Sequence, residues 1–81
     1  MLKLSKHITD EMGRRGILLS YIETALAAPD YVTPDPVRPE LTRSFKTIPA
    51  FGNRVLRVVH RPDGADTFVV TAHWDRGAKK A

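Results

Sequence analysis

The chain has 81 residues, with thirteen lysines and arginines against nine acids, a formal net charge of +4 and no cysteine. That length supports one small domain whose core hides only about 60% of the surface of the unfolded chain, and the missing thiols exclude disulfides and cysteine-bound metal as its staples. The basic balance, with an isoelectric point near 9.9, favours an anionic partner such as nucleic acid, while the lack of a signal-like or membrane-length apolar run leads us to expect a cytoplasmic location and no membrane partner.

Leu4, Ile8 and Met12 form a narrow apolar stripe at helical spacing, so residues 4–17 read as a short helix. His7, Glu11 and Arg14 border the stripe, and Arg15 falls within it. An arginine aimed at a core needs a partner or a ligand. Gly16 stops this helix. Leu18, Leu19, Ile22, Ala25 and Leu26 then recur at helical spacing as far as Ala28, and Pro29 ends the second helix. Asp30-Tyr31-Val32-Thr33 suits a short edge strand, but Pro34, Pro36 and Pro39 impose an extended connection with few backbone donors.

From Leu41 the period becomes two: Leu41, Arg43, Phe45 and Thr47 alternate with Thr42, Ser44, Lys46 and Ile48. A turn follows at residues 49–53. Two β-branched runs, 54–61 and 67–74, flank Pro62-Asp63-Gly64 and read as an antiparallel hairpin. The predicted architecture is α+β, two N-terminal helices packed on a three- to four-stranded antiparallel sheet. It forms a single domain over residues 1–75, and residues 76–81 form a basic, flexible tail. Pairing Arg61 with Asp66 would put Val55, Val59, Phe68, Val70, Ala72 and Trp74 beside Arg57 under the helices. Arg54, Leu56, Val58, His60, Val69, Thr71 and His73 would then share the open face, and a one-residue slip would exchange these roles.

His7, His60 and His73 have no local ligand spacing, so a metal site would need distant segments to converge; no metal and no other cofactor is expected. No serine sits on an elbow-type turn, and there is no glycine-rich phosphate loop. What remains is a set of imidazole and basic groups suited to cleaving RNA through its own 2′-hydroxyl. That chemistry needs a base for the hydroxyl proton, cations around the phosphorane and an acid for the leaving 5′-oxygen. His7, Arg15, Lys46, Arg57 and His73 can supply the set, with Lys46 and Arg54 as nucleic-acid contacts. Each has a plainer reading too. His7 suits a helix surface beside Glu11, Arg15 and Arg57 can cover apolar surface or pair with Glu11, Glu23 or Asp66, and Lys46, His60, Thr71 and His73 suit strand positions facing water.

The order His7, Met12, Arg15-Gly16-Ile17, Pro29-Asp30, Leu56-Arg57-Val58-Val59 and Val69-Val70-Thr71-Ala72 resembles a family of small bacterial proteins classed as a domain of unknown function. That family opens with a pattern like His-Ala-x-x-Arg-Met-x-Glu-Arg-Gly-Ile. It is distantly similar to the RelE and BrnT class of ribonuclease toxins, in which helices precede an antiparallel sheet and an antitoxin partner silences the activity. The resemblance implies a site combining His7 and Arg15 with strand residues such as Arg57 and Thr71. Glu11 and Arg14 stand exchanged relative to the pattern. They are three apart on a helix, so a reversed surface ion pair keeps their contact, and Arg15 is the better functional candidate. The expected function is a metal-independent, toxin-type endoribonuclease with RNA and an antitoxin or other protein as partners. The alternative is a non-catalytic module that binds nucleic acid or pairs a sheet edge with another protein.

Overall fold

Ser5 sets where the first helix begins. Its hydroxyl accepts from the Ile8 N–H at 3.1 Å and donates to the Val70 carbonyl at 2.9 Å, which caps the helix and ties it to the last strand. In the computed structural model, which describes residues 2–76, α1 therefore spans Lys6–Arg15 and the residues before it form a strand, β1, Leu2–Leu4. Leu4 thus leaves the helical stripe in which its spacing placed it. α2 covers Leu19–Ala27, β2 Tyr31–Pro34, β3 Thr42–Ile48, β4 Arg54–Asp63 and β5 Asp66–Trp74. Apart from Arg76, the basic tail expected over 76–81 lies outside the described residues.

The sheet has five strands in the order β1-β5-β4-β3-β2, with β1 parallel to β5 and every other pair antiparallel. This corrects the expected three- to four-stranded antiparallel sheet to a mixed one. β1 is three residues long, too short to show a period. β2 is an edge strand, and Pro34 stands at its end, where no ladder donor is lost.

Both helices pack on one face of this sheet. Ile8, Ile17, Ile22 and Ala25 meet Ile48, Leu56, Val58, Val69 and Ala72 in the buried core, with Met12, Tyr21, Phe51 and Trp74 against it. The hairpin register differs from the predicted one. Asp63 pairs with Asp66 and Arg61 with Phe68, but the ladder shifts between Val59 and His60, so that Thr71 faces Val59 and Val69 faces His60. Val70 is the extra residue of a β-bulge. No uniform register can turn Val69, Ala72 and Trp74 all to one face; one inserted residue can. Leu56 and Val58 consequently belong to the core with Ala72 and Trp74, and Thr71 and His73 join Arg57 on the face without helices. That face carries its own smaller apolar group, with Phe45 and Val59 buried and Tyr31 stacked on Phe45, centroids 4.4 Å apart.

The Arg15-Gly16-Ile17 motif closes α1. Gly16 sits at φ 67° as the C-cap, its N–H bonded to Met12 O, and Ile17 is buried. A Cβ on Gly16 would lie 3.2 Å from the Phe51 ring, and that ring is itself stacked on Trp74 with centroids 4.2 Å apart. Gly16→Ala is therefore expected to cost about 1–2 kcal/mol from the left-handed backbone alone, and more if Phe51 must shift. Urea unfolding of the two proteins measures the loss.

Candidate active site

β1 pairs with β5 only over Thr67, Phe68 and Val69. Beyond that point the β5 edge is left to α1, and Arg15 reaches across it. Arg15 Nη1 donates to the Ala72 carbonyl at 2.9 Å and to His73 Nδ1 at 2.8 Å, on the face away from the helices. Its Nη2 pairs with Glu11 Oε2 at 2.6 Å. Arginine has no acceptor, so His73 Nδ1 must accept; the neutral ring then carries its proton on Nε2 and donates it to Thr71 Oγ1 at 3.0 Å. Arg57 lies opposite His73 across the β4–β5 ladder. Its Nη1 pairs with Asp75 Oδ2 at 3.3 Å, and its Nε is buried without a partner among the described residues.

Glu11 is the hidden member of this array. Its side chain is only 6% exposed, and it pairs with Arg14 as well as Arg15, with His7 Nε2 at 4.0 Å. The expected surface pair of Glu11 and Arg14 is thus half correct: Arg14 is exposed and Glu11 is buried. A carboxylate so placed needs its cations, and two guanidinium groups meet that need. Trp74 Nε1 donates to Arg15 O at 2.7 Å, which fixes the end of α1 against β5 and sets the origin of the arginine side chain.

The structure therefore brings Arg15, Arg57, Thr71 and His73 together and leaves His7 on the exposed rim of α1, linked through Glu11. Lys46 and Arg54 do not join them. Lys46 faces Leu56 and Arg54 faces Ile48 on the helix-side face, and Lys46 pairs with Asp30 at 3.5 Å. His60, read as facing water, is half-buried on that same face, with Nε2 2.7 Å from Ser44 Oγ. Alternation along one strand placed these groups; the bulge decided which strand positions they would share. Glu11 escaped sequence reasoning as a site residue, although its i+4 spacing to Arg15 was the available signal. Among the described residues no cluster of three or more histidines and carboxylates is placed to hold a metal ion, and no helix is long and apolar enough to cross a membrane.

Burial holds the His73 imidazole below its ordinary range, with the Arg15 and Arg57 charges adding to the effect and Glu11 opposing it. Burial alone lowers His60. Both rings are thus neutral near pH 7. The unfolded chain binds protons at the ordinary imidazole value of about 6.5 and the folded chain only at lower pH, so stability rises with pH across this window. The contribution is complete above about pH 6.5 and is lost as pH falls toward the folded values. Thermal unfolding at pH 7.5 and pH 5 is expected to show this loss, and the double variant His60→Gln, His73→Gln is expected to show a flatter profile.

A mixed five-stranded sheet with two helices on one face and a guanidinium–imidazole–hydroxyl array on the other defines a small α+β domain with a polar, solvent-facing edge site. The chain belongs to the family described as a domain of unknown function, DUF4258, which matches residues 4–74. No curated protein and no solved structure matches the chain.

Proposed function

We propose that this protein binds single-stranded RNA on the sheet face opposite its helices and cleaves it without metal, as a relative of the RelE and BrnT toxins would. The observation that carries this reading is the single hydrogen-bonded array of Arg15, His73 and Thr71 facing Arg57. His73 is the base. A phosphate oxygen is a stronger acceptor for a guanidinium than a neutral ring nitrogen, so an arriving phosphodiester draws Arg15 Nη1 from His73 and frees the Nδ1 lone pair. Nδ1 takes the 2′-hydroxyl proton, the 2′-oxygen attacks phosphorus, and the bond to the 5′-oxygen breaks as His7 donates a proton to it. The products are a 2′,3′-cyclic phosphate and a 5′-hydroxyl. Arg15 and Arg57 hold the phosphorane charge, and movement of the Arg57 guanidinium toward the phosphate gives its unpartnered Nε–H an acceptor.

Purified protein is expected to nick single-stranded RNA in the presence of a chelator, leaving cyclic phosphate ends, and to arrest growth when induced unless a partner protein is co-expressed. Absence of both would remove the reading. A second reading draws on a specific feature: both ring nitrogens of His73 and the Arg15 donors directed at Glu11, Ala72 and His73 are already engaged. A site so satisfied suits a non-catalytic RNA-binding module, for which binding without cleavage and tolerated expression are the expected outcomes.

A further inference from the structure

The pairing registers align four residues in one row across the helix-free face. His73 faces Arg57, Arg57 faces Phe45, and Phe45 faces Tyr31. The row runs at right angles to the strands from β5 to the edge strand β2, and three strand spacings make it about 14 Å long. One end carries the imidazole of the array. The other end carries two aromatic rings lying 9° from parallel, with Phe45 buried and Tyr31 half-buried at the sheet margin. Between them stands Arg57.

Phe45 is buried, and so is Val59 on the same face. A tyrosine on an edge strand could keep its ring in water. Here its ring stacks face to face on Phe45, Tyr31 is only half-buried, and β2 is the last strand of the sheet, so that no further strand lies beyond the ring. An aromatic ring on a sheet face that also carries a guanidinium is what an unpaired base stacks on, and stacking tolerates any base because every base has a π-face. Charge agrees with this occupant: Arg57 in the row is cationic, Arg61 lies over Phe68 on the same face at 4.7 Å, and the chain carries a net charge of +4.

Resting on the reading of an RNA-binding site at His73, we propose that Tyr31 is a base-stacking station for the single strand. In this arrangement the scissile phosphate sits at the His73 and Arg57 end, the strand crosses the sheet perpendicular to β3 and β4, and a base a few nucleotides away lies on the Tyr31 ring. The site then selects for an unpaired segment long enough to span the row, since a base held in a duplex cannot lie on the ring.

A non-cleavable 2′-O-methyl octanucleotide and the full chain test this by fluorescence anisotropy. Tyr31→Phe and Tyr31→Trp are expected to bind as the native protein does, and Tyr31→Leu about tenfold more weakly, the stacking contribution expressed as affinity. Leucine keeps apolar cover over Phe45, so the ranking of aromatic over aliphatic reports stacking rather than folding; Tm values of all three variants verify that each is folded. Equal affinity of Tyr31→Leu and the native protein would overturn the stacking station while leaving RNA binding intact. Failure of the native protein to bind the octanucleotide at all would overturn both the station and the reading on which it rests.

Discussion

His73→Ala is expected to lower the rate of metal-free RNA cleavage by about 10²- to 10⁴-fold, the usual contribution of a positioned proton-transfer group. The ring is the one member of the array that can both lose and gain a proton near neutral pH. Burial and the flanking Arg15 and Arg57 charges hold it neutral, so the proposed base needs no prior deprotonation. Thr71→Val removes the acceptor of the Nε2 proton and leaves the ring held through Nδ1 alone. Its loss is expected to be smaller than that of His73→Ala and to appear mainly in kcat. Initial rates on single-stranded RNA in chelator, with binding to an uncleavable strand measured in parallel, separate chemistry from affinity. If His73→Ala cleaves as fast as the native protein, His73 is not the base.

The second large effect concerns stability. Arg15→Ala removes the donor to the Ala72 carbonyl and to His73 Nδ1 and takes away one of the two guanidinium partners of buried Glu11. Breaking a fully buried ion pair from one side costs about 3–5 kcal/mol. The Arg15 side chain is 33% exposed and Arg14 remains beside Glu11, so solvent and the second cation reduce the expected loss to about 2–3 kcal/mol. Glu11→Ala in the same chain removes the stranded carboxylate. The double variant is therefore expected to be less destabilised than the sum of the two single changes, by roughly 1 kcal/mol in a double-mutant cycle. Strict additivity would show that Arg15 contributes through its bonds to β5 alone.

Much of the fold was legible in the chain because its signals are local. The apolar spacing of Ile8 and Met12, the stop at Gly16, and the alternation over Thr42–Ile48 each depend on a few neighbouring residues. β1 was invisible because three residues cannot display a period, and its pairing with β5 joins residues some 65 positions apart. The register of β4 and β5 was not legible either. Pro62-Asp63-Gly64 announces a turn, but the bulge at Val70 answers a demand of the core, where Val69, Ala72 and Trp74 must all face the helices. That one residue moved Thr71 and His73 from the company of His60 to that of Arg57, so the members of the candidate site could be named from the sequence while their grouping could not. Arg15 was legible as an arginine in need of a partner. Glu11 was among the partners offered to it, but Ala72 and His73 were not legible, since they stand 57 and 58 residues away.

The contacts that assemble the array also settle how this sheet ends. Past the last residue of β1, the carbonyls of Val69, Val70 and Ala72 accept from the Ser5 N–H, the Ser5 hydroxyl and Arg15. An unfinished strand edge ordinarily offers a row of acceptors on which a neighbouring molecule can zip and begin to aggregate. In this protein a helix cap and one guanidinium have already taken those places, so the side chain that orients His73 also helps to keep one sheet from growing into the next.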